Sequence, residues 1–175
     1  QADGMAAQSA EVAIVNFGPV RVIQDFVTAE NFFPMTLSAD NATPMGEVIL
    51  KGIQLTRERK DQYKAAGITY YRPWIFLITD GAPTDNISQA KLAIADGESK
   101  NEFHFYAVGV DGADMAVLRD LSSKRKPVEL KGLLFREMFQ WLSASIGTVS
   151  RSQRDEDVQL DNPFDEEDGW AVISS

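Results

Sequence analysis

Apolar and polar positions divide this chain into short buried runs and amphipathic segments. The apolar run WIFLI, residues 74–78, leads directly into Thr79, Asp80 and Gly81. A continuous apolar run that ends in a polar turn is typical of a strand buried on both faces of a parallel sheet. Ligands bind parallel sheets beyond the carboxyl ends of their strands. We therefore expect Asp80 at a ligand-binding edge, where a positive group would meet its carboxylate.

The rest of the pattern predicts helices and strands in alternation. Further strands are predicted at residues 103–110 and, more weakly, at residues 128–130. Apolar residues at helical spacing predict helices at residues 46–59, 86–100, 113–121 and 135–149. Strands that alternate with long helices indicate βαβ units. The predicted fold class is therefore α/β, with a doubly wound, mostly parallel sheet flanked by helices.

Two further predictions concern residues 11–27 and residues 60–72. Residues 11–17 and 20–27 are predicted to form two strands joined at Gly18-Pro19, as an antiparallel hairpin at a sheet edge. Residues 60–72 are predicted to be a polar connection between a helix and the strand that begins near residue 74.

Most of the charge lies at the end of the chain. The 175 residues carry a net charge of −9, and residues 152–175 contain eight acidic residues against one arginine, which gives −7 and leaves about −2 for residues 1–151. We therefore predict an α/β domain at residues 1–151 and an acidic tail at residues 152–175. The tail is either disordered or docked on the domain or on a partner. The acidic balance argues against nucleic acid as a partner.

Composition also restricts the cellular compartment and the kinds of chemical site that the protein can have. Cysteine is absent, which excludes disulfides, thiolate metal sites and cysteine nucleophiles. No apolar run approaches the ~18 residues needed to cross a bilayer, and no export signal is visible. The sequence therefore predicts a cytoplasmic protein that neither spans nor binds a membrane.

Thr43 and Asp80 are the candidate metal ligands. Thr43, followed by Pro44, has the pattern of a helix N-cap, and Asp80 ends the central predicted strand. In a doubly wound sheet both residues can reach the same crevice. Hydroxyl and carboxylate oxygens are hard ligands, suited to Mg²⁺, Ca²⁺ or Mn²⁺. The spacing alone is equally consistent with an ordinary cap residue and an ordinary turn residue.

Other chemistry has less support. No GxxxxGK[ST] or GxGxxG motif occurs, so nucleotide binding has no basis in the sequence. The segment TDGAPTD superficially resembles a phosphoryl-transfer aspartate loop, but that chemistry also needs a partner carboxylate and a lysine. His104, the single histidine, lies in an apolar strand, where a hydrogen-bonded histidine of the core or sheet edge is the usual role. Thr84 and Asp85 are predicted to cap the helix that follows them.

Several segments resemble a von Willebrand factor type A (vWA) domain, in particular the bacterial cytoplasmic group near the tellurium-resistance proteins. They extend from residue 11 to about residue 152, in order and with similar spacing. The segments are EVAIVNFGPV, ATPMGEVIL, RPWIFLITDGAPTD, FHFYAVGVDGADM and LFREMFQWLSASIGTVSRS.

The resemblance implies a metal-ion-dependent adhesion site (MIDAS) built from three loops. One loop carries an Asp-x-Ser-x-Ser motif after the first strand. The second supplies a threonine, which corresponds to Thr43 in NATPMG, and the third supplies an aspartate, which corresponds to Asp80 in ITDG. The metal ion in such a site keeps an open position that accepts an Asp or Glu carboxylate from a partner protein.

The chain departs from this pattern at its start. No Asp-x-Ser-x-Ser motif occurs, and no strand is predicted before residue 11. A doubly wound sheet that lacks its middle strand would leave backbone groups unpaired in the core. We therefore expect the native protein to be longer and to carry this strand and its motif, or a second chain to supply the strand. The metal site is conditional on that piece.

The resemblance implies a function without catalysis. We expect a divalent-cation-dependent protein–protein interaction module, with kinase or phosphatase partners in a bacterial stress-response or signalling scaffold. Thr43 would bind the metal directly, Asp80 directly or through a water, and Asp85 would lie in the surrounding shell. Two alternatives stay open: a metal-dependent phosphotransferase or hydrolase that uses Asp80, and a structural α/β domain with a dead metal site. Acidic residues 161–168 are also a candidate ligand for a neighbouring molecule's site, which would cause self-association.

Overall fold

A computed structural model of the chain describes residues 10–33, 35, 42–132, 134–151 and 171–173. The strands are Glu11–Asn16 (β1), Arg21–Thr28 (β2), Trp74–Thr79 (β3), His104–Gly109 (β4), Val128–Leu130 (β5) and Ala171–Ile173 (β6). The α-helices are Met45–Ala65 (α1), Ser88–Ser99 (α2), Met115–Leu121 (α3) and Phe135–Arg151 (α4). A short 3-10 turn, Ala29–Asn31, follows β2. No helix in these ranges is long and apolar enough to cross a membrane.

β1 and β2 pair as an antiparallel hairpin, as predicted, but among the described residues they form a two-stranded sheet of their own and not the edge of a larger sheet. Glu11 lies opposite Thr28 and Asn16 lies opposite Arg21, with register shifts on either side of Ile14. The turn uses Gly18, whose φ of 90° falls in the left-handed region that favours glycine.

A charged cluster fastens this hairpin to α1. Arg59 Nε donates to Glu11 Oε2 at 2.8 Å, and the Tyr63 hydroxyl donates to the same carboxylate. The Arg59 guanidinium also lies 4.8 Å from the centre of the Tyr63 ring. The hydrogen bond from Arg59 lowers the pKa of the Glu11 carboxyl, against the opposing effect of partial burial. The start of β1 is therefore tied to the last turns of α1.

The same contacts explain why α1 is longer than predicted. The helix continues to Ala65, so the prediction that a polar connection begins at residue 60 is wrong. Tyr63 is held by Glu11, and Lys60 Nζ donates to the Glu102 carbonyl oxygen at 2.8 Å. These tertiary contacts stabilise the last turns of a helix whose sequence has no apolar stripe there.

The second sheet has four strands in the order β3-β4-β5-β6. β3, β4 and β5 are parallel, with Trp74 opposite His104 and Val108 opposite Val128. β6 pairs antiparallel with β5, with Ala171 opposite Leu130. The structure therefore confirms an α/β fold in which parallel strands are flanked by helices.

Two apolar clusters lie on opposite faces of this sheet. On one face, Leu77, Phe105 and Ala107 pack with buried residues of α1, α2 and α3. On the other face, Val108 packs with Met138 of α4, together with partly buried Phe76 and Ile78. Side chains of successive strand residues point to opposite faces, so the clusters follow from the alternation along β3 and β4.

One prediction about β3 is wrong: this strand is not buried on both faces. Only Leu77 and Thr79 of β3 are buried, whereas four of the six residues of β4 are. The reason is position, because β3 is the outermost strand of its sheet among the described residues. Within the described ranges no strand pairs with its side facing away from β4. The expected additional strand therefore stays a prediction.

β6 is a strand that the sequence pattern did not predict. It is three residues long, and Ala171 is fully buried against the cluster that contains Val108 and Met138. Such a short strand carries too little pattern to be recognised before its partner is known. The other residues of the predicted acidic tail, 152–170 and 174–175, lie outside the described ranges.

Candidate functional site

Thr43 and Asp80, the predicted metal ligands, lie on neighbouring loops at the carboxyl edge of the parallel sheet. Asp80 follows the last residue of β3, and Thr43 lies two residues before α1. A Cβ atom built on Gly81 would lie 3.1 Å from Thr43 Oγ1. The Thr43 hydroxyl therefore lies against the residue that follows Asp80.

Two hydrogen bonds hold these loops together. Thr43 N donates to Thr84 Oγ1 at 3.1 Å, and Thr84 N donates to the Thr43 carbonyl oxygen at 2.9 Å. Because both bonds join the same two residues, they fix the position and the orientation of Thr43 on the β3–α2 loop. The prediction that Thr84 caps the following helix is therefore wrong.

Asp85 caps the helix that precedes it in the sequence, not the one that follows. Its Oδ1 accepts from Gly46 N at 3.0 Å and its Oδ2 accepts from Glu47 N at 2.9 Å. These are N–H groups of the first turn of α1, which have no partner within the helix, and a negative charge is favourable there. The prediction that Asp85 caps α2 is wrong, since α2 has no side-chain cap at its N-cap residue Ile87.

The N-cap prediction for Thr43 is also wrong. The N-cap position of α1 is Pro44, and no side chain of that residue caps the helix. Gly46 N, which a Thr43 cap could use, already donates to Asp85, and the Thr43 hydroxyl faces Gly81 instead. Capping by a distant loop thus leaves the Thr43 hydroxyl at the sheet edge.

A close approach of α1 to the β3–α2 loop makes this arrangement possible. A Cβ atom built on Gly46 would lie 2.6 Å from the Asn86 carbonyl oxygen and 3.0 Å from Asp85 Oδ2. Side chains do not tolerate such distances, so only glycine fits at this position. Asn86 turns the loop into α2, because its Oδ1 accepts from Ser88 N at 2.8 Å.

The Asp80 carboxylate is exposed to solvent. It makes no hydrogen bond or ion pair with any residue that the structure describes. The expected positive partner is therefore not found among those residues. Water can solvate an exposed carboxylate, so no such partner is needed for stability. The carboxylate oxygens are accessible to a ligand.

The β4–α3 loop forms a further wall beside Asp80. Val110 N donates to the Thr79 carbonyl oxygen at 2.8 Å, and a Cβ atom built on Gly112 would lie 3.4 Å from the Asp80 carbonyl oxygen. In the same loop Asp114 caps α3 through Ala116 N and Val117 N, both at 3.1 Å. At this edge Asp85 and Asp114 are thus engaged in capping, whereas Asp80 is not.

The donor chemistry fits a hard divalent cation in part. Thr43 offers a hydroxyl and Asp80 a carboxylate, and Mg²⁺ is commonly held by one or two protein oxygens with several waters. No group of three or more His, Asp or Glu side chains that could hold a metal ion occurs within the described part of the chain. Thr43 and Asp80 therefore supply a partial donor set, which water or further ligands must complete.

Sequence reasoning missed the role of Thr84 and Asp85 in positioning Thr43. Helix caps are normally local, so an aspartate just before α2 favours a cap on α2. The reversal depends on the tertiary approach of α1 to Asn86, which no local pattern encodes. The one sequence signal is Gly46 itself, a glycine in the first turn of a helix where other residues have better propensity.

Comparisons with known proteins identify neither a family nor a function for this chain. No protein-family model, no curated protein and no solved structure was found to match the chain. The function proposed below therefore depends on the chemistry of the site residues and on the resemblance described above.

Proposed function

We propose that this chain is a divalent-cation-dependent protein–protein interaction module of the vWA type, without catalytic activity. The observation that supports the proposal most directly is the contact of the Thr43 hydroxyl with the position of Gly81. It brings the loops that carry these two hard oxygen donors together at the edge where ligands bind parallel sheets. The exposed Asp80 carboxylate has no competing partner in the described ranges.

Thr43 and Asp80 have distinct roles in this proposal. Thr43 binds the cation directly, and Asp80 binds it directly or through a water. Mg²⁺ is the proposed ion, with Ca²⁺ or Mn²⁺ as alternatives of the same ligand preference. The bound cation supplies an open coordination position for an Asp or Glu carboxylate of a partner protein. Thr84 and Asp85 act as positioning residues, because their hydrogen bonds fix the Thr43 loop.

The vWA resemblance also supplies a proposed place for a further strand, beside β3. α1 contacts both β1 and β3, and Val15 and Ile75 pack against the same apolar cluster. The side of β3 that faces away from β4 is unpaired within the described ranges. An additional strand there would satisfy these backbone groups and would bring its following loop to the edge that carries Thr43 and Asp80.

The biological setting rests on the resemblance alone. We place the module in the bacterial cytoplasm, in a stress-response or signalling scaffold with kinase or phosphatase partners. The enzyme alternative predicts metal-dependent turnover of a phosphate ester that is lost on Asp80→Ala. The dead-site alternative predicts that no divalent cation binds.

Calorimetric titration of Mg²⁺ into the full chain tests the proposal. We compare the wild type with Asp80→Ala, Thr43→Val and the control Asp61→Ala, which removes an exposed carboxylate from the far end of α1. We expect binding by the wild type and the control, and a loss of at least about tenfold in affinity in each site variant, as expected when a ligand to a hard cation is removed.

Equal affinity in all four proteins would mean that the ion binds elsewhere, and no binding in any of them would support the dead-site alternative. A partner complex that survives EDTA would also contradict the proposal. Hydrolysis of a generic phosphate ester by the wild type, lost in Asp80→Ala, would replace it with the enzyme alternative.

A further inference from the structure

Positive side chains meet at the amino edge of the parallel sheet, opposite the Asp80 edge. Arg72 lies two residues before β3, His104 is the first residue of β4, and residues 124–126, Lys-Arg-Lys, come just before β5. Because β3, β4 and β5 are neighbouring parallel strands, the segments that precede them lie at the same edge of the sheet. The fold thus brings together cations that are far apart in the sequence.

Contacts with His104 show that the two arginines of this edge are close to each other. Arg125 Nη2 lies 2.7 Å from His104 Nδ1, and Arg72 Nη1 lies 3.5 Å from His104 Nε2. The two guanidinium groups therefore flank one imidazole ring. Arginine stays charged in proteins, so this arrangement concentrates positive charge and favours an anion beside it.

One buried carboxylate compensates part of this charge. The Glu98 side chain, at the end of α2, is only 1% exposed. Its Oε1 accepts from Phe105 N at 3.1 Å and from Arg125 Nη1 at 2.8 Å, and its Oε2 accepts from Ser123 Oγ and Lys124 N. Four donors are about as many as one carboxylate accepts, so Glu98 cannot neutralise a further cation.

The other cations of this edge lack a carboxylate partner among the described residues. Arg72 is half-buried, and within those residues its one polar contact is the long one to His104. Lys126 is exposed and makes neither a hydrogen bond nor an ion pair in that part of the chain. Lys124 Nζ donates at 2.6 Å to the carbonyl oxygen of Glu98, which carries no charge. Donor capacity for an external anion is therefore left over.

The amino edge is thus a positive surface on a negative protein. We call Arg72 and residues 124–126 the amino-edge cations. They carry four positive charges against the single negative charge of Glu98, which leaves three, whereas the whole chain has a net charge of −9. A local charge of opposite sign to the rest of the molecule attracts a partner of complementary charge to that place.

Neighbouring acids do not cancel this local charge. Glu102, two residues before β4, pairs with Arg57 at 2.8 Å, and Asp96 of α2 pairs with Lys100 at 2.8 Å. Each of these carboxylates has a cation of its own. Within the described ranges the amino-edge cations therefore stay in excess.

The surface is also held in place at its centre. Besides its bonds to Glu98 and His104, the Arg125 guanidinium lies 5.0 Å from the centre of the Tyr106 ring. These contacts fix the α3–β5 loop against the start of β4. A preformed arrangement of charges loses less conformational entropy when a ligand binds.

The donors at this edge are suited to carboxylates. Arginine matches the geometry of a carboxylate and forms strong charge-assisted hydrogen bonds with it, whereas lysine acts as a point charge. A peptide with several acidic side chains can reach cations that come from two separate segments. A nucleic acid fits less well, because its phosphates extend beyond one edge and would meet the negative remainder of the chain.

We propose that the amino-edge cations bind an acidic segment of a partner protein. Arg72 donates to one carboxylate of that segment, and Lys124 and Lys126 attract its other acidic side chains. Arg125, held by Glu98, keeps the positive loop in position. The contact needs no divalent cation, so it is independent of the candidate site at the opposite edge.

NMR titration of the full chain with an acetylated hexaglutamate peptide, in the presence of EDTA, tests this contact. EDTA removes divalent cations, so the result does not depend on the cation site. We expect the backbone amide signals of Arg72, His104 and Arg125 to shift more than those of Gly81 and Gly112. Hexaglutamine should cause no such shifts, and at about 1 M salt, where the Debye length is about 3 Å, they should be lost.

Three variants separate the contact from a general effect of charge. Arg72→Gln should weaken hexaglutamate binding about tenfold, as expected for the loss of a charge-assisted hydrogen bond. Lys126 and Lys131 form a matched pair, because they lie before and after β5, at opposite edges of the sheet. Lys126→Gln should weaken binding about threefold, the scale of an exposed ion pair, and Lys131→Gln should leave it unchanged.

Shifts of equal size at the two edges, or an affinity that Arg72→Gln leaves unchanged, would overturn the proposal. Equal weakening by Lys126→Gln and Lys131→Gln would show an effect of net charge alone and would also overturn it. A six-nucleotide single-stranded DNA that binds this edge more tightly than hexaglutamate would assign the edge to nucleic acid instead.

Discussion

At the carboxyl edge of the parallel sheet the Asp80 carboxylate is exposed, whereas at the amino edge the Glu98 carboxylate is buried and accepts from four donors. The first arrangement leaves oxygen atoms accessible to a ligand. The second uses every hydrogen-bonding position of the carboxylate to join α2, β4 and the α3–β5 loop. The comparison indicates that the carboxylate at one edge of the sheet is available for binding and that the carboxylate at the other edge stabilises the fold.

The largest effect should come from breaking the buried network. Glu98→Gln removes the charge that compensates Arg125, and we expect the free energy of unfolding to fall by about 3 kcal/mol. The control Glu102→Gln breaks a half-exposed pair with Arg57 and should cost at most about 1 kcal/mol. Urea unfolding of both variants measures the difference. Equal losses would contradict a special role for Glu98.

A pair of neighbouring aspartates tests the other edge. Asp85→Ala removes the cap of α1 and should lower the free energy of unfolding by about 1–2 kcal/mol. Asp80→Ala, five residues earlier in the same loop, should change it by less than about 0.5 kcal/mol, because the carboxylate is exposed. Chemical denaturation of the two variants distinguishes the roles. A large loss on Asp80→Ala would show that this carboxylate stabilises the fold.

An effect smaller than that of Asp85→Ala should come from Glu11, a carboxylate of intermediate exposure. Its pKa lies below its ordinary value of 4.5 because Arg59 donates to it. The stabilisation is therefore complete above the ordinary pKa and is lost as the pH falls through the lowered pKa. Glu11→Gln should cost less than about 1 kcal/mol at neutral pH.

Unfolding at a series of pH values measures this dependence. The wild type and Glu11→Gln should converge in stability at low pH, where the carboxyl of the wild type is protonated. A difference between the two proteins that stays constant with pH would contradict the assigned ion pair.

The elements with strong periodicity could be predicted from the sequence, whereas the features that depend on tertiary contacts could not. The alternation of strands and helices, the Gly18-Pro19 hairpin and β5 followed from local pattern. The last turns of α1 depend on Glu11, which is 48 positions from Arg59, and β6 depends on its pairing with β5. Long-range contacts of this kind leave no local signal.

The candidate site was likewise predictable only in part. The hard-ligand chemistry of Thr43 and Asp80 is visible in the sequence, and the structure brings their loops together. The role of Asp85 was missed because its partners, Gly46 and Glu47, lie in an earlier helix. The contacts of His104 with Arg72 and Arg125 were missed because the three residues are far apart in the sequence and each has an ordinary local context.

The most direct test of the proposed cation site is a map of Mn²⁺-induced broadening of backbone amide signals in the full chain. The wild type is compared with Asp80→Ala, and a variant with residues 155–157 neutralised serves as control. We predict selective broadening at Thr43, Gly81 and Gly112 that is lost in Asp80→Ala and retained in the control. Broadening confined to residues 152–170, or unchanged by Asp80→Ala, would contradict the site.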